Sequence, residues 1–464
     1  MDRLKKWNQL FWIAIRGQEK NFTTGSINRA LFLLSIPMIL EMVMESLFSV
    51  IDILFVSRIG VEAVATVGLT ESVATLVYAI SIGMSMGATA MVARRIGEGN
   101  REAAAVTAVQ ALVIGVLVSA VIGLLGMVFA RQILEAMGGS AEVVRSGTIY
   151  TRILLGSNVV IMLLFLLNGI FRGAGDAALA MRALWLANGL NIILDSLLIF
   201  GWGPFPELGL RGAAIATATG RGIGVVYQLW LLTRGSSTLR LVRRHLQLRW
   251  NVIEKLVKVS ANGAIQFLIS SASWIFLMRI IALFGDEAVA GYVIAIRLII
   301  FTILPSWGLA NATATLVGQN LGAGQPERAE RSVWRASFLN VLFMLTVSVF
   351  YIIWAPSIIR FFDTTPEVVS AGIMTLRIIC LGYLFFAFGM VVSQAFNGAG
   401  DTRTPMFINI ICFWLIEIPL GYFLAVTFDW RLAGVCWAIA ISETLLAIIA
   451  IWIFRRGRWK EIAI

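Results

Sequence analysis

Long apolar runs, broken at short intervals by Gly, Pro, Asn and Asp, recur along the whole 464-residue chain. A helix needs about 20 apolar residues to cross a bilayer core, and each run supplies that or more. The pattern predicts twelve membrane spans, over roughly 31–57, 62–92, 103–129, 146–171, 178–200, 212–232, 254–283, 288–317, 332–354, 368–396, 405–427 and 433–454. The interruptions have the composition of turns. Before the first span, Met1 to Thr24 is polar, basic and aromatic (Lys5, Lys6, Trp7, Phe11, Trp12, Arg16, Lys20), which predicts a short interfacial helix. The longest internal connection, Thr233 to Asn251, is polar and rich in arginine.

Charge orients these spans. With both ends inside, about 26 of the 37 Lys and Arg fall in cytoplasmic segments and about 6 in outer loops, the remainder lying within spans. A multi-pass protein of the prokaryotic plasma (inner) membrane, with both termini cytoplasmic, is the expectation. Composition agrees: 59% of residues are hydrophobic and 14% charged, values foreign to a soluble domain. The net charge of +11 does not signal nucleic acid, because the basic residues sit in short loops between apolar runs. Cys380, Cys412 and Cys436 all lie in apolar segments with no metal or disulfide spacing. The single histidine, His245, sits in a basic loop, and no Gly-Lys pair offers a Walker A loop. These features predict neither an enzyme nor a metal or organic cofactor; anything the chain moves is driven by an ion gradient.

The chain also repeats itself at an offset of 225 residues: Ser35 to Leu40 falls on Ser260 to Ile265, RIGVEAVA (58–65) on LFGDEAVA (283–290), VARRIGEGN (92–100) on VGQNLGAGQ (317–325), and FRGAGDA (171–177) on FNGAGDT (396–402). Six spans separate the copies, so both have the same orientation. The expected architecture is an all-α membrane protein of two six-helix lobes, related by a pseudo-twofold axis along the membrane normal and enclosing a central cleft. The divisions read as an interfacial segment (1–25), an N-lobe (26–233), a basic linker (234–251) and a C-lobe (252–464).

The first span carries three carboxylates, Glu41, Glu45 and Asp52. At 100° per residue, Glu45 lies about 40° and Asp52 about 20° round from Glu41, on one narrow stripe above Pro37. An acid at that depth is a functional candidate unless it pairs with a base. Glu71, Glu417 and Glu443 also fall within spans; partners on offer are Arg279, Arg297 and Arg377. Glu41, Glu45, Glu417 and Glu443 are candidates to line a cleft for cationic substrates. In the two GAGD turns, Asp176 and Asp401 read as N-caps of the following helices.

The motifs SIPMIL, DILFVSRIGVEAVATVGL, VARRIGEGN, NGIFRGAGD, NIILDSLLIFG, LVGQNLGAG, FNGAGDTRTP and IEIPLGY, in that order, resemble those of the multidrug and toxic compound extrusion (MATE) transporters across nearly the whole chain. The resemblance implies a V-shaped pair of lobes and efflux of cationic, amphipathic compounds in exchange for H+ or Na+, by a protein read as a monomer. It is nearest to the prokaryotic DinF-like branch, whose coupling site is an Asp in span 1 and an Asn-x-x-x-Asp in span 5. Those positions here are Asp52, Asn191 and Asp195. The positions that are acidic in the NorM-like branch fall near Ser270 and Phe386, so a second-lobe Na+ site is not expected. The alternatives are a flippase for lipid-linked saccharides, which would need a basic cleft, and a non-transporting receptor, which would leave the buried acids unexplained.

Overall fold

The computed structural model describes residues 2–18, 21–234 and 237–464. Lys20 and two residues of the basic linker lie outside the described residues, as do the side chains of Lys6 and Trp7. The chain is helical almost throughout: α1 (Asp2–Arg16), α2 (Ile27–Ser57), α3 (Val61–Gly97), α4 (Arg101–Ala136), α5 (Ala141–Gly156), α6 (Asn158–Gly173), α7 (Ala177–Phe200), α8 (Leu210–Arg234), α9 (Trp250–Ile281), α10 (Asp286–Gly322), α11 (Pro326–Phe362), α12 (Pro366–Leu381), α13 (Tyr383–Ala399), α14 (Arg403–Asn409), α15 (Ile418–Tyr422) and α16 (Arg431–Arg455). Every predicted span coincides with one helix or a chain of short ones. Span 4 is α5 with α6, and span 10 is α12 with α13, bent by 56°. Span 11 runs from α14 through two wide π-helical segments, Ile410–Glu417 and Phe423–Thr427, on either side of α15. Among the described residues nine helices, and the bent pair as a tenth, are long and apolar enough to cross a membrane. The protein is a multi-pass membrane protein.

The helices outrun the apolar runs that announced them. α3 has 37 residues, about 55 Å at 1.5 Å per residue, well beyond a bilayer core. A helix bonds its own backbone wherever its side chains turn polar, so hydropathy marks the membrane and not the helix end. Arg172 illustrates the difference: it falls just beyond the apolar run 146–171, yet it stands in the last turn of α6.

The repeat is visible bond by bond. Arg152 Nε donates to the Met127 carbonyl and Arg377 Nε to the Ile352 carbonyl, both at 3.1 Å. The Trp185 indole donates to the Leu40 carbonyl (3.1 Å) and that of Trp414 to the Ile269 carbonyl (3.0 Å). The contacts between the halves are reciprocal too. A side chain on Gly97 would collide with the Gln319 carbonyl, and one on Gly322 with the Arg94 carbonyl. Gly83 meets the Ser260–Ala264 backbone, and Gly308 meets Met38 and Ile39. Shifting either member of a pair by 225 residues gives the other, as a twofold axis between α3 and α10 requires. Small residues let these backbones touch, the usual device of membrane helix packing.

All four approaches lie in the half of the bundle nearer the two termini. That end is tied further by segments outside the spans. Arg328 donates to the carbonyls of Phe22, Thr24 and Gly25, and Arg182 to that of Ile15. Arg94 and Arg95 hold the carbonyls of Ile462 and Ile464 at 2.7 and 2.9 Å. Lys460 bridges Glu330 (2.6 Å) and Glu327 (3.1 Å), and the hydrogen bond it donates to Glu330 holds its ammonium above the usual lysine range. Asp401 stands one residue before the N-cap of α14, Thr402, and accepts from Thr404 N–H and hydroxyl (3.1 and 2.6 Å). Asp176 occupies the N-cap position of α7 as expected but makes no side-chain capping bond there: its carboxylate takes the hydroxyls of Ser237 and Thr238 and the Thr238 N–H at 2.9, 3.0 and 2.5 Å, fastening the linker to the first half.

Gly83→Leu is therefore expected to force α3 from α9 and to destabilise the protein by about 1–3 kcal/mol, the ordinary cost of overpacking. Thermal unfolding in detergent measures this; an unchanged Tm would mean the halves do not meet there in solution.

Candidate functional site

The polar residues of the first half form one connected system. On α2, Glu41 is 1% exposed. Its Oε1 accepts from Asn168 Nδ2 (3.1 Å) and Arg172 Nη1 (3.2 Å), both on α6, while Oε2 has no hydrogen-bond partner among the described residues. Arg172 also donates to Ser85 of α3 (3.0 Å), and Asn168 accepts from Gln228 of α8 (2.5 Å). One turn along, half-buried Glu45 takes Asn188 of α7 at 2.9 Å and faces Arg221 of α8 at 3.6 Å. Arg221 is almost fully buried, within 3.4 Å of the Tyr78 hydroxyl and over the ring of Phe48.

Toward the other end of α2 the bases run out. Asn191 and Asp195, one turn apart on α7, are both fully buried. With its amide oriented to satisfy both ends, Asn191 donates to Asp195 Oδ2 (2.5 Å) and accepts at Oδ1 from the N–H and hydroxyl of Thr217 (3.1 Å each). Asp195 Oδ1 has no hydrogen-bond partner among the described residues. Half-buried Asp52 lies within electrostatic reach of Asp195 and of Arg221, and the Tyr150 phenol within reach of both aspartates and of Glu71. The three residues Asp52, Asn191 and Asp195 are thus brought into one region, where the neutral carboxylic acid and a carboxylate bound to a small cation are both compatible with the donors present. Among the described residues no three His, Cys, Asp or Glu side chains are grouped to hold a metal ion.

The second half has the helices without the bases. Glu417 is 3% exposed, at the end of a π-helical segment, with Glu443 in electrostatic reach. Neither has an ion pair among the described residues. The expected partners Arg279, Arg297 and Arg377 are exposed on the outside, and Glu71 is exposed as well.

Between the halves, just beyond the glycine contacts, lies a partly open cavity of about 110 Å³. Met42, Met86, Phe165 and Trp307 line it, with amides from Asn311, Gln394 and Asn397. Arg172 is its one charged lining residue. Glu41 stands behind Arg172, and Glu45, Glu417 and Glu443 are not part of this wall. Buried Asn168, Asn188, Gln228 and Tyr150 and half-buried Thr217 were not singled out from sequence, although amides inside apolar spans are themselves a signal of a polar interior.

The MatE family model matches residues 37–197 and again 263–423, one match per copy of the repeat. The chain is 28% identical over 439 residues to a probable multidrug resistance protein NorM of Thermotoga maritima, covering 94% of each. It is 27% identical over 447 residues to an FAD transporter of Shewanella oneidensis, covering 93% of this chain and 95% of that one. Among solved structures, the outward-facing conformation of a multidrug resistance MATE family transporter superposes with a TM-score of 0.88 at 27% identity, over 95% of this chain and 98% of the other.

If the Arg172–Glu41 pair holds the first half together, Arg172→Met leaves an unpaired buried carboxylate and costs about 3–5 kcal/mol. Adding Glu41→Leu should recover most of that loss in a double-mutant cycle; additive losses would show that the two side chains do not depend on each other.

Proposed function

The chain belongs to the MatE family, a family of membrane transporters and not enzymes, and on that premise we propose that this multidrug efflux protein is an antiporter exporting organic cations and amphipathic drugs in exchange for H+. It needs no organic cofactor; the gradient of the coupling ion supplies the work. Residues 26–233 and 252–464 act as its two lobes, joined by the linker 234–251. It sits as a monomer in a prokaryotic inner membrane with both termini in the cytoplasm, the orientation the loop charges favour. In that orientation the halves are pressed together inside and the cleft faces out.

The observation that carries the coupling assignment is Asp195: a fully buried carboxylate with one oxygen bound to Asn191 and the other without a partner. Ionised and dry, such a group is costly; protonated, or holding a cation, it is not. Asp52 and Asn191 complete the site. Protonation there removes one of two neighbouring negative charges, and the lobe repacks around a neutral interior; deprotonation from the cytoplasmic state completes the cycle. In the cavity, the faces of Trp307 and Phe165 suit a flat cation, the methionines adapt to different shapes, and Glu41, paired with Arg172, offsets the one positive charge on the wall. A flippase for lipid-linked saccharides would need free cations for a pyrophosphate. Arg172 is the one charged lining residue, and Glu41 already holds it.

Two outcomes are expected. Asp52→Asn and Asp195→Asn should each fold and bind substrate yet lose pH-driven efflux of a cationic dye from vesicles, because an amide imitates the protonated acid and cannot release a proton. Well-folded variants pumping at the wild-type rate would move the coupling site elsewhere, and efflux that follows only an imposed Na+ gradient would exchange the ion. Single cysteines at Gly99 should react with impermeant thiol reagents from the cytoplasmic side only, and at Glu207 from outside only; outside labelling of position 99 would invert the orientation.

A further inference from the structure

On the membrane-facing side of the first half, α4, the end of α8 and the linker border a second, open recess of about 510 Å³. Its wall is apolar, with Val113, Val116 and Leu117 from α4, Leu229 from α8 and Leu246 from the linker, and Arg243 stands among them. The recess is built, not a chance gap between helices. The linker folds back on α8 through a bond from Leu241 N–H to the Leu232 carbonyl (2.9 Å). It is pinned to α4 at two levels. Glu102 engages Arg244 and His245. Gln110 donates to the Gln247 carbonyl (3.0 Å) and accepts from Arg249 N–H (3.2 Å).

Charge and exposure separate sharply here. Arg243 is exposed and has no carboxylate partner among the described residues, in contrast with its neighbour Arg244. Arg234 and Arg240, exposed and likewise without ion pairs, adjoin the lining residues Thr233 and Leu241. Arg234 lies over the half-exposed ring of Trp230, 5.1 Å from its centroid, as in an aromatic belt. Below this basic rim, Val116 and Leu117 are 44% and 62% exposed. At 1.5 Å per residue, Leu117 is about 24 Å along the axis from the start of α4, the depth of an acyl chain rather than of a headgroup. Unpaired cations at the interface above an apolar recess are complementary to one molecule that a bilayer supplies.

We propose that this recess is a binding site for an anionic phospholipid, the phosphate resting against Arg243 with Arg234 and Arg240 beside it, and one acyl chain lying between α4 and α8. The occupied site covers the apolar wall that the linker leaves open, and ties the linker between the two halves to the leaflet on that side. The inference does not depend on which ion drives transport or on the orientation in the membrane.

Native mass spectrometry of the full chain in detergent, titrated with phosphatidylglycerol or phosphatidylcholine, tests it. Phosphatidylglycerol should bind more tightly. Arg243→Gln should weaken it about fivefold, and Arg240→Gln with Arg243→Gln by a further similar factor, since a basic side chain near a lipid surface contributes about 1 kcal/mol. Phosphatidylcholine, whose choline cation offsets its phosphate, should be weakened less in these variants, so that the preference for phosphatidylglycerol shrinks. Leu117→Trp, which fills the recess on an exposed position, should weaken both lipids. Equal binding of the two lipids by the wild type, or an undiminished phosphatidylglycerol preference in the double variant, would overturn the proposal and leave only unspecific lipid contact.

Discussion

A carboxylate inside an apolar protein in a membrane must find a partner or a proton, and the interior of the first half is arranged around that constraint. Glu41 and Glu45 are met by Arg172 and Arg221, and each also accepts from an amide, Asn168 or Asn188. Each base is in turn held by Ser85 or Tyr78. The ion pairs fill the part of the helix bundle next to the central cavity, and among the described residues no base pairs with Asp195. What singles out Asp195 is thus a shortage: among the described residues the arginines nearest to it are already committed, apart from the reach of Arg221 toward Asp52. The function proposed for Asp195 and the stability at Glu41 would draw on the same desolvation energy with opposite results.

The two halves share a skeleton and differ in chemistry. The arginine-to-carbonyl bonds of Arg152 and Arg377, the indole bonds of Trp185 and Trp414 and the paired glycine contacts repeat faithfully. Yet among the described residues the second half has no counterpart of the Arg172–Glu41 and Arg221–Glu45 pairs, and Glu417 and Glu443 lie near each other instead. A repeat needs its packing residues to keep the axis, because a side chain at Gly97 or Gly322 would strike backbone. Nothing in the packing requires the second copy to retain acids and bases. On the proposed reading, this asymmetry places the ion chemistry in one half. The contacts at α3 and α10 join the halves through backbone against glycine, with apolar side chains of α2 packed on α10 beside them.

Periodicity, length and charge determined most of the fold. Apolar runs above bilayer length can only be helices there, because lipid offers the backbone no hydrogen bonds; hence the twelve spans were legible, and so was the two-lobed repeat, whose glycine-rich turns survive at a fixed offset. The stripe of Glu41, Glu45 and Asp52 was legible too, since 100° per residue fixes which residues share a face. The tertiary structure decided everything that requires two distant segments to meet. Arg172, 131 residues from Glu41 in sequence, looked like a loop residue and proved to be its partner, while Arg279, Arg297 and Arg377 looked like partners and lie outside. Asp176 looked like a helix cap and instead grips the linker 61 residues away. Hydropathy reports how a residue sits relative to the membrane, whereas the pairing of charges depends on which helix faces which, and that is set only when the bundle packs.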